Sequence, residues 1–206
     1  MSLTIYGSAR SRTIRTLWAA KELGLNYNQV DIPPGPQGSR LPEMMAINPN
    51  GHVPFIVDDG VMIAESLAIN LYLARKAGGP LAGSNLAEDG LITMWSFWAS
   101  NEIEPHALQA LYHTIYHPVD ERDPKVVAAA LAAVEAPLTV LEAHLAKSGG
   151  YLVGGRFTIA DLNLASVIFY LRGNPEALAS KPHIRAWYEA ALARPKAKEA
   201  FALRGD

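Results

Sequence analysis

The chain has 206 residues, half of them hydrophobic, with 20 acidic against 18 basic residues and a net charge of −2. That length suffices to bury roughly 70% of the surface an unfolded chain exposes, and the near balance of charge gives no reason to expect a nucleic acid or an anionic membrane as partner. There is no cysteine, so disulfides, thiolate metal sites and a cysteine nucleophile are excluded.

In chain order, the first residues lack the charged leader and long apolar stretch of a signal peptide, so the expectation is a cytoplasmic protein. Residues 3–6 read as a short strand and 7–10 as a loop. A helix is predicted over 11–23, closed by Gly24. Residues 27–32 read as a second strand, 33–38 as a Pro/Gly loop and 40–46 as a short helix. Next come an Asn48-Pro49-Asn50-Gly51 turn, Val53-Pro54, a short strand, an Asp59-Gly60 hairpin and a second short strand. Glu65-Ser66 then opens a helix. The order predicts an α/β first domain over 1–78, a mixed four-stranded sheet covered by helices.

Gly78-Gly79-Pro80 breaks the pattern and starts a linker over 79–85. From 86 to 206 strand signals are scarce, and alanine and leucine recur at helical spacing. Helices are predicted over 88–116, 124–147, 158–171 and 183–194, with a short final turn, giving an all-α second domain. No apolar run is expected to reach the about 20 residues of a membrane span. Thr158-Ile159-Ala160-Asp161 reads as a capping box with Asp in place of the usual Glu or Gln, a structural rather than a catalytic pair. Among the histidines only His113 and His117 have helical i,i+4 spacing. No Glu or Cys completes a metal site there, so no metal is expected.

A polar pair at a helix start can hold a charged small molecule, because exposed amides and the positive dipole end attract a carboxylate. A glutamate beside them can take an ammonium. An amino-acid head would be clamped at two points by Glu65 and Ser66.

The 48–73 stretch resembles the glutathione-binding half of the cytosolic glutathione S-transferase family, here of a bacterial-type, serine-like kind without an assigned class. The resemblance implies a thioredoxin-like first domain and an all-helical second one. It implies a cis Val53-Pro54 bond, with Val53 pairing its backbone with glutathione. Glu65 and Ser66 would hold the γ-glutamyl head. His52 stands where members often touch the glycyl carboxylate. Thr158 and Asp161 match a folding element of the family's helical domain.

Glutathione chemistry needs a thiolate, and an unperturbed thiol of pKa about 8.5 is only about 3% ionised at pH 7. A hydroxyl donating to sulfur, or a helix N-terminus, favours the ionised form. Members place such a group after the first strand, where Ser8, Ser11 and Tyr6 compete; backbone amides or arginine alone remain open too. Ser8 fits a Ser-x-x-x-Arg spacing with Arg12, whereas counting back from Gly24 favours Ser11. Arg10 or Arg12 is expected to face an anionic ligand, and Arg15 to pair across a domain or subunit boundary. The expected function is conjugation of glutathione, as co-substrate, to small hydrophobic electrophiles by a homodimer. The alternatives are glutathione-dependent peroxidase, isomerase or dehalogenase activity, or a non-catalytic binding module.

Overall fold

A computed structural model describes residues 3–205, which cluster into two compact units. The first runs up to Ala82 and takes in the chain again from Ala193 onward; the second is Gly83–Leu192.

In the first unit, β1 (Leu3–Tyr6) is followed by α1 (Thr13–Glu22), β2 (Asn28–Val30) and α2 (Pro42–Ile47). Then come β3 (Phe55–Asp58), β4 (Val61–Ala64) and α3 (Ser66–Ala77). The sheet order is β2-β1-β3-β4, with β1 parallel to β2 and antiparallel to β3, and β3 antiparallel to β4. This is the mixed four-stranded sheet expected. Ile5, Leu17, Trp18, Phe55, Ile56, Ile69 and Leu73 are wholly buried and form its core. The Val53-Pro54 peptide is cis. Arg10, Arg194 and Arg204 tie the returning chain to this unit, as does Phe201, which meets Trp18 edge-on at 5.9 Å. The closing helix α9 (Pro195–Phe201) therefore belongs with the sheet, whereas the sequence reading placed it in the helical domain.

The second unit carries α4 (Leu86–Trp98), α5 (Glu104–Leu111), α6 (Pro124–Ser148), α7 (Ile159–Ile168) and α8 (Pro182–Ala193). All ten residues of α7 are buried, as befits a central helix that is apolar all round. The single helix expected over 88–116 is interrupted by π turns at Ala99–Ile103 and Tyr112–Tyr116. Each ends just before an X-Pro pair, Glu104-Pro105 and His117-Pro118. Proline has no N–H to continue the ladder, and it disfavours helix for the residue before it, which is extended at His117 though still helical at Glu104. The bonds shift to i→i−5, with the Glu104 amide on the Ala99 carbonyl and the His117 amide on the Tyr112 carbonyl.

The α6 helix corrects another expectation: by length and composition it could cross a membrane. Its buried residues, Ala130, Val134, Leu138, Leu141 and Leu145, make one helical stripe, however. Glu135 and Glu142 take Lys181 and His183 from the start of α8. It is a helix of the bundle, apolar overall because it is rich in alanine.

Candidate functional site

The first unit holds a cleft of about 400 Å³. Three segments converge on it: the loop ahead of α2, the turn leading into the cis proline, and the start of α3. His52, Val53, Pro54, Glu65 and Ser66 all line it, together with Arg12 and Arg40.

The turn is built from short polar bonds. Asn48 donates from its carboxamide to the His52 carbonyl at 3.1 Å and accepts the Asn50 amide at 3.2 Å. Buried Ser39 donates to the Gly51 carbonyl at 2.7 Å and accepts the Gly35 amide at 2.9 Å, joining the two loops. Gly51 is at φ +62, and a Cβ there would lie 2.8 Å from Met45 Sδ and 3.0 Å from Arg40 Cγ. The absence of a side chain thus leaves room for the stem of Arg40 beside the cleft.

At the other wall Glu65 sits at φ +70, ψ 111, one of two described non-glycine residues with positive φ. That conformation throws the glutamate outward ahead of the helix while buried Ser66 begins it. Arg15 is itself buried and donates to Ser66 Oγ at 3.3 Å. Asn70, one turn further along α3, donates to the Arg15 carbonyl at 3.3 Å. Arg15 thus braces the Ser66 hydroxyl from beneath the start of α3. Arg10 donates to the Arg204 carbonyl at 3.0 Å, and it is Arg12 that reaches the cleft.

The candidate hydroxyls do not line the cleft. Ser11 Oγ lies 2.8 Å from the Ser8 carbonyl and 2.8 Å from Thr13 Oγ1, and accepts the Thr13 amide at 3.1 Å. Ser8 contributes its carbonyl to this group, accepting the Ser11 amide as well. The Tyr6 ring is stacked on Phe55, with centroids 4.3 Å apart. Gly7 stands between this group and the cleft wall: a Cβ on Gly7 would be 2.0 Å from Thr13 Oγ1 and 3.0 Å from Val53 Cβ.

Thr158 and Asp161 lie in the helical unit and form a capping box at the start of α7. Asp161 is wholly buried and accepts four bonds, from the Thr158 amide and hydroxyl, the Leu152 amide and Trp187 Nε1. Burial nonetheless pushes its carboxyl above the ordinary aspartate value. Among the described residues no group of three or more His, Asp or Glu could hold a metal ion.

Chemically, the cleft offers two guanidinium groups, one carboxylate, a braced hydroxyl at a helix start and a strand entrance. Arg12 and Arg40 suit carboxylates, Glu65 suits an ammonium, and the N-terminus of α3 suits an α-carboxylate.

Comparison with known proteins agrees. Residues 1–75 match the glutathione S-transferase N-terminal domain, and residues 124–190 match the glutathione S-transferase C-terminal domain. Glutathione S-transferase 3 of Zea mays is 31% identical, covering 94% of this chain and 90% of the maize protein. The theta class glutathione S-transferase of Xanthomonas axonopodis pv. citri, solved with glutathione bound, is 32% identical. It superposes with a TM-score of 0.88 over 97% of this chain and 96% of that one. Glutathione S-transferase I from maize, in complex with an atrazine glutathione conjugate, is 31% identical with a TM-score of 0.88 over 98% of each chain. Relatives come from plants as well as from a bacterium, so the bacterial-type label is dropped and no class is assigned.

Proposed function

This chain belongs to the glutathione S-transferase family, and we propose that it conjugates glutathione to small hydrophobic electrophiles. The observation that carries the reading is the convergence of Glu65, Ser66, Val53, Arg12 and Arg40 on one cleft. In this reading the α-carboxylate of the γ-glutamyl head takes the Ser66 hydroxyl and the start of α3, and its ammonium takes Glu65. Val53 stands just ahead of the first paired residue of β3, so its backbone is placed to bond an extended peptide as an added strand would. Arg40 and His52 take the glycyl carboxylate. Val53 and Pro54 shape the wall against which the cysteinyl part lies.

The sulfur is held ionised by the Ser11 hydroxyl. Ser11 is favoured over Ser8 because its oxygen is bonded to Thr13, which abuts Gly7, a residue that itself lies beside Val53 of the cleft wall. The thiol proton leaves to solvent. The thiolate then attacks the electrophilic carbon, a sulfur–carbon bond forms, and a leaving group such as chloride departs with its bonding pair. The enzyme contributes binding, orientation and stabilisation of the anion.

The working form is a cytoplasmic homodimer. Leu91, Met94 and Phe97, three residues apart on α4, are exposed and suit burial against a second copy. A monomer mass in light scattering at micromolar concentration would overturn that part.

Calorimetry with glutathione on the wild type, Ser66→Ala and Glu65→Ala tests the site. Loss of a charged hydrogen bond should weaken binding by about 1.5–3 kcal/mol in each variant. Unchanged affinity in both would remove the proposed placement, and absence of turnover with an activated chloronitrobenzene would remove the conjugation.

A further inference from the structure

We propose that Thr13 is a positioning residue that confines the Ser11 hydroxyl to the role of hydrogen-bond donor toward the ligand sulfur. This rests on the reading of Ser11 as the group that holds the thiolate.

A serine hydroxyl has one proton to give and two lone pairs to fill. Around Ser11 Oγ stand three groups of fixed or restricted character. The Ser8 carbonyl, at 2.8 Å, can only accept. The Thr13 amide, at 3.1 Å, can only donate. Thr13 Oγ1, at 2.8 Å, can do either. With the Ser11 proton on the Ser8 carbonyl, Thr13 Oγ1 has to donate to Ser11. Both lone pairs of Ser11 are then filled by Thr13, one from its amide and one from its hydroxyl. Ser11 can no longer accept a thiol proton, and its own proton is its only remaining valence.

The arrangement also lets that proton move cheaply. The Ser8 carbonyl accepts the Ser11 amide at 3.0 Å as well. It therefore stays bonded when the hydroxyl proton turns from it to a thiolate. Two donors on one oxygen polarise its O–H bond and strengthen the bond it gives.

Thr13 is held for this geometry. The residue is wholly buried, where a hydroxyl needs a partner. Its oxygen occupies space open only because residue 7 lacks a side chain: a Cβ on Gly7, which sits at φ +132, would be 2.0 Å away.

The test uses Thr13→Val, which keeps the shape and removes the hydroxyl, beside Thr13→Ser, which restores it. Thr13→Ala serves if the valine variant folds poorly by circular dichroism. Thiolate absorbance of bound glutathione is titrated against pH, and kcat and KM for conjugation are measured across the same range. Thr13→Val should raise the apparent pKa of the bound thiol by about half to one unit, which lowers the thiolate fraction and kcat near neutral pH about threefold to tenfold. The KM for glutathione should stay within about twofold, because the interaction acts on the reacting sulfur. Thr13→Ser should return the titration to that of the wild type, which a merely structural role would not require. Ser11→Ala separates the two claims. If Ser11→Ala moves the titration and neither Thr13→Val nor Thr13→Ala does, the Thr13 proposal is overturned and the Ser11 reading stands. If Ser11→Ala moves nothing, both fall.

Discussion

Glu65 is held at φ +70 and ψ 111, a conformation that costs a residue with a Cβ about 1–3 kcal/mol. Glu65→Gly removes that strain, against roughly 0.5–1 kcal/mol for glycine's greater freedom in the unfolded chain. Urea unfolding should therefore show Glu65→Gly to be about 1 kcal/mol more stable than the wild type, while calorimetry shows weaker glutathione binding. Glu65→Ala should lose affinity without the gain, since it keeps the strain and lacks the carboxylate. A glycine variant no more stable than the wild type would mean that the backbone there is unstrained. That His52, Val53, Glu65 and Ser66 line one cleft was legible because they belong to one contiguous stretch of turns and short strands. Arg40 was missed: it was read into a helix that in fact begins at Pro42, although proline favours the first helical turn and gave the signal. The contact of Arg15 with Ser66 was not legible for a different reason. The two lie 51 residues apart, and no local pattern announces a buried arginine.

Elements were easier to read than their ends. All four strands, α1 and the long α6 follow from period and turn residues, while boundaries moved by a residue or several. The π turns before Pro105 and Pro118 show the limit, because proline marks a disturbance in the ladder without saying how the helix accommodates it. The start of α4 shows a further layer. Asn85 caps it by accepting the Glu88 amide at 3.0 Å. The Glu88 carboxylate accepts Arg156 Nη2 at 2.6 Å, Arg156 Nη1 at 3.2 Å and the Ser84 amide at 2.8 Å. The Arg156 guanidinium, helped by the Ser84 amide, brings the Glu88 carboxyl down to about 2. A carboxyl that is more acidic folded than unfolded stabilises the fold fully above its ordinary value of 4.5, and that contribution is lost as pH falls toward 2. Glu88→Gln should therefore unfold more readily than the wild type at pH 7. In denaturant titrations at stepped pH, the difference should shrink across that window. A gap that stayed constant down to pH 2 would assign the effect to packing instead.

At the scale of the molecule, the two fold classes were legible from the order of the elements, since the strand signals stop after the first third of the chain and helical spacing follows. The return of the chain after Ala193 was not. Helical spacing places α9 among helices, but its allegiance is fixed by contacts nearly the whole length of the chain apart. Arg194 donates from Nε and Nη2 to the two carboxylate oxygens of Glu22 at 2.7 and 2.8 Å. Trp18 Nε1 donates to Glu22 Oε1 at 3.1 Å. The Glu22 side chain is only 5% exposed, whereas that of Arg194 is 35% exposed. Removing the arginine leaves a carboxylate in poor solvent contact with, among the described residues, the indole as its remaining partner. Losing one side of a buried pair costs about 3–5 kcal/mol, and the exposure of Arg194 reduces the expected cost of Arg194→Ala to about 2 kcal/mol. Trp18 reports on the change directly, because it bonds the same carboxylate. Its fluorescence should follow the earlier unfolding of the variant. Since α1 packs against α9 and carries Arg15 under Ser66, glutathione affinity should fall as well. Arg194→Lys should recover part of the stability, keeping the charge but not the two-pronged contact. If Arg194→Ala unfolds at the same denaturant concentration as the wild type, the closing segment is held by its packing on Trp18 and by the Arg10 and Arg204 hydrogen bonds, and the ion pair contributes nothing to binding it.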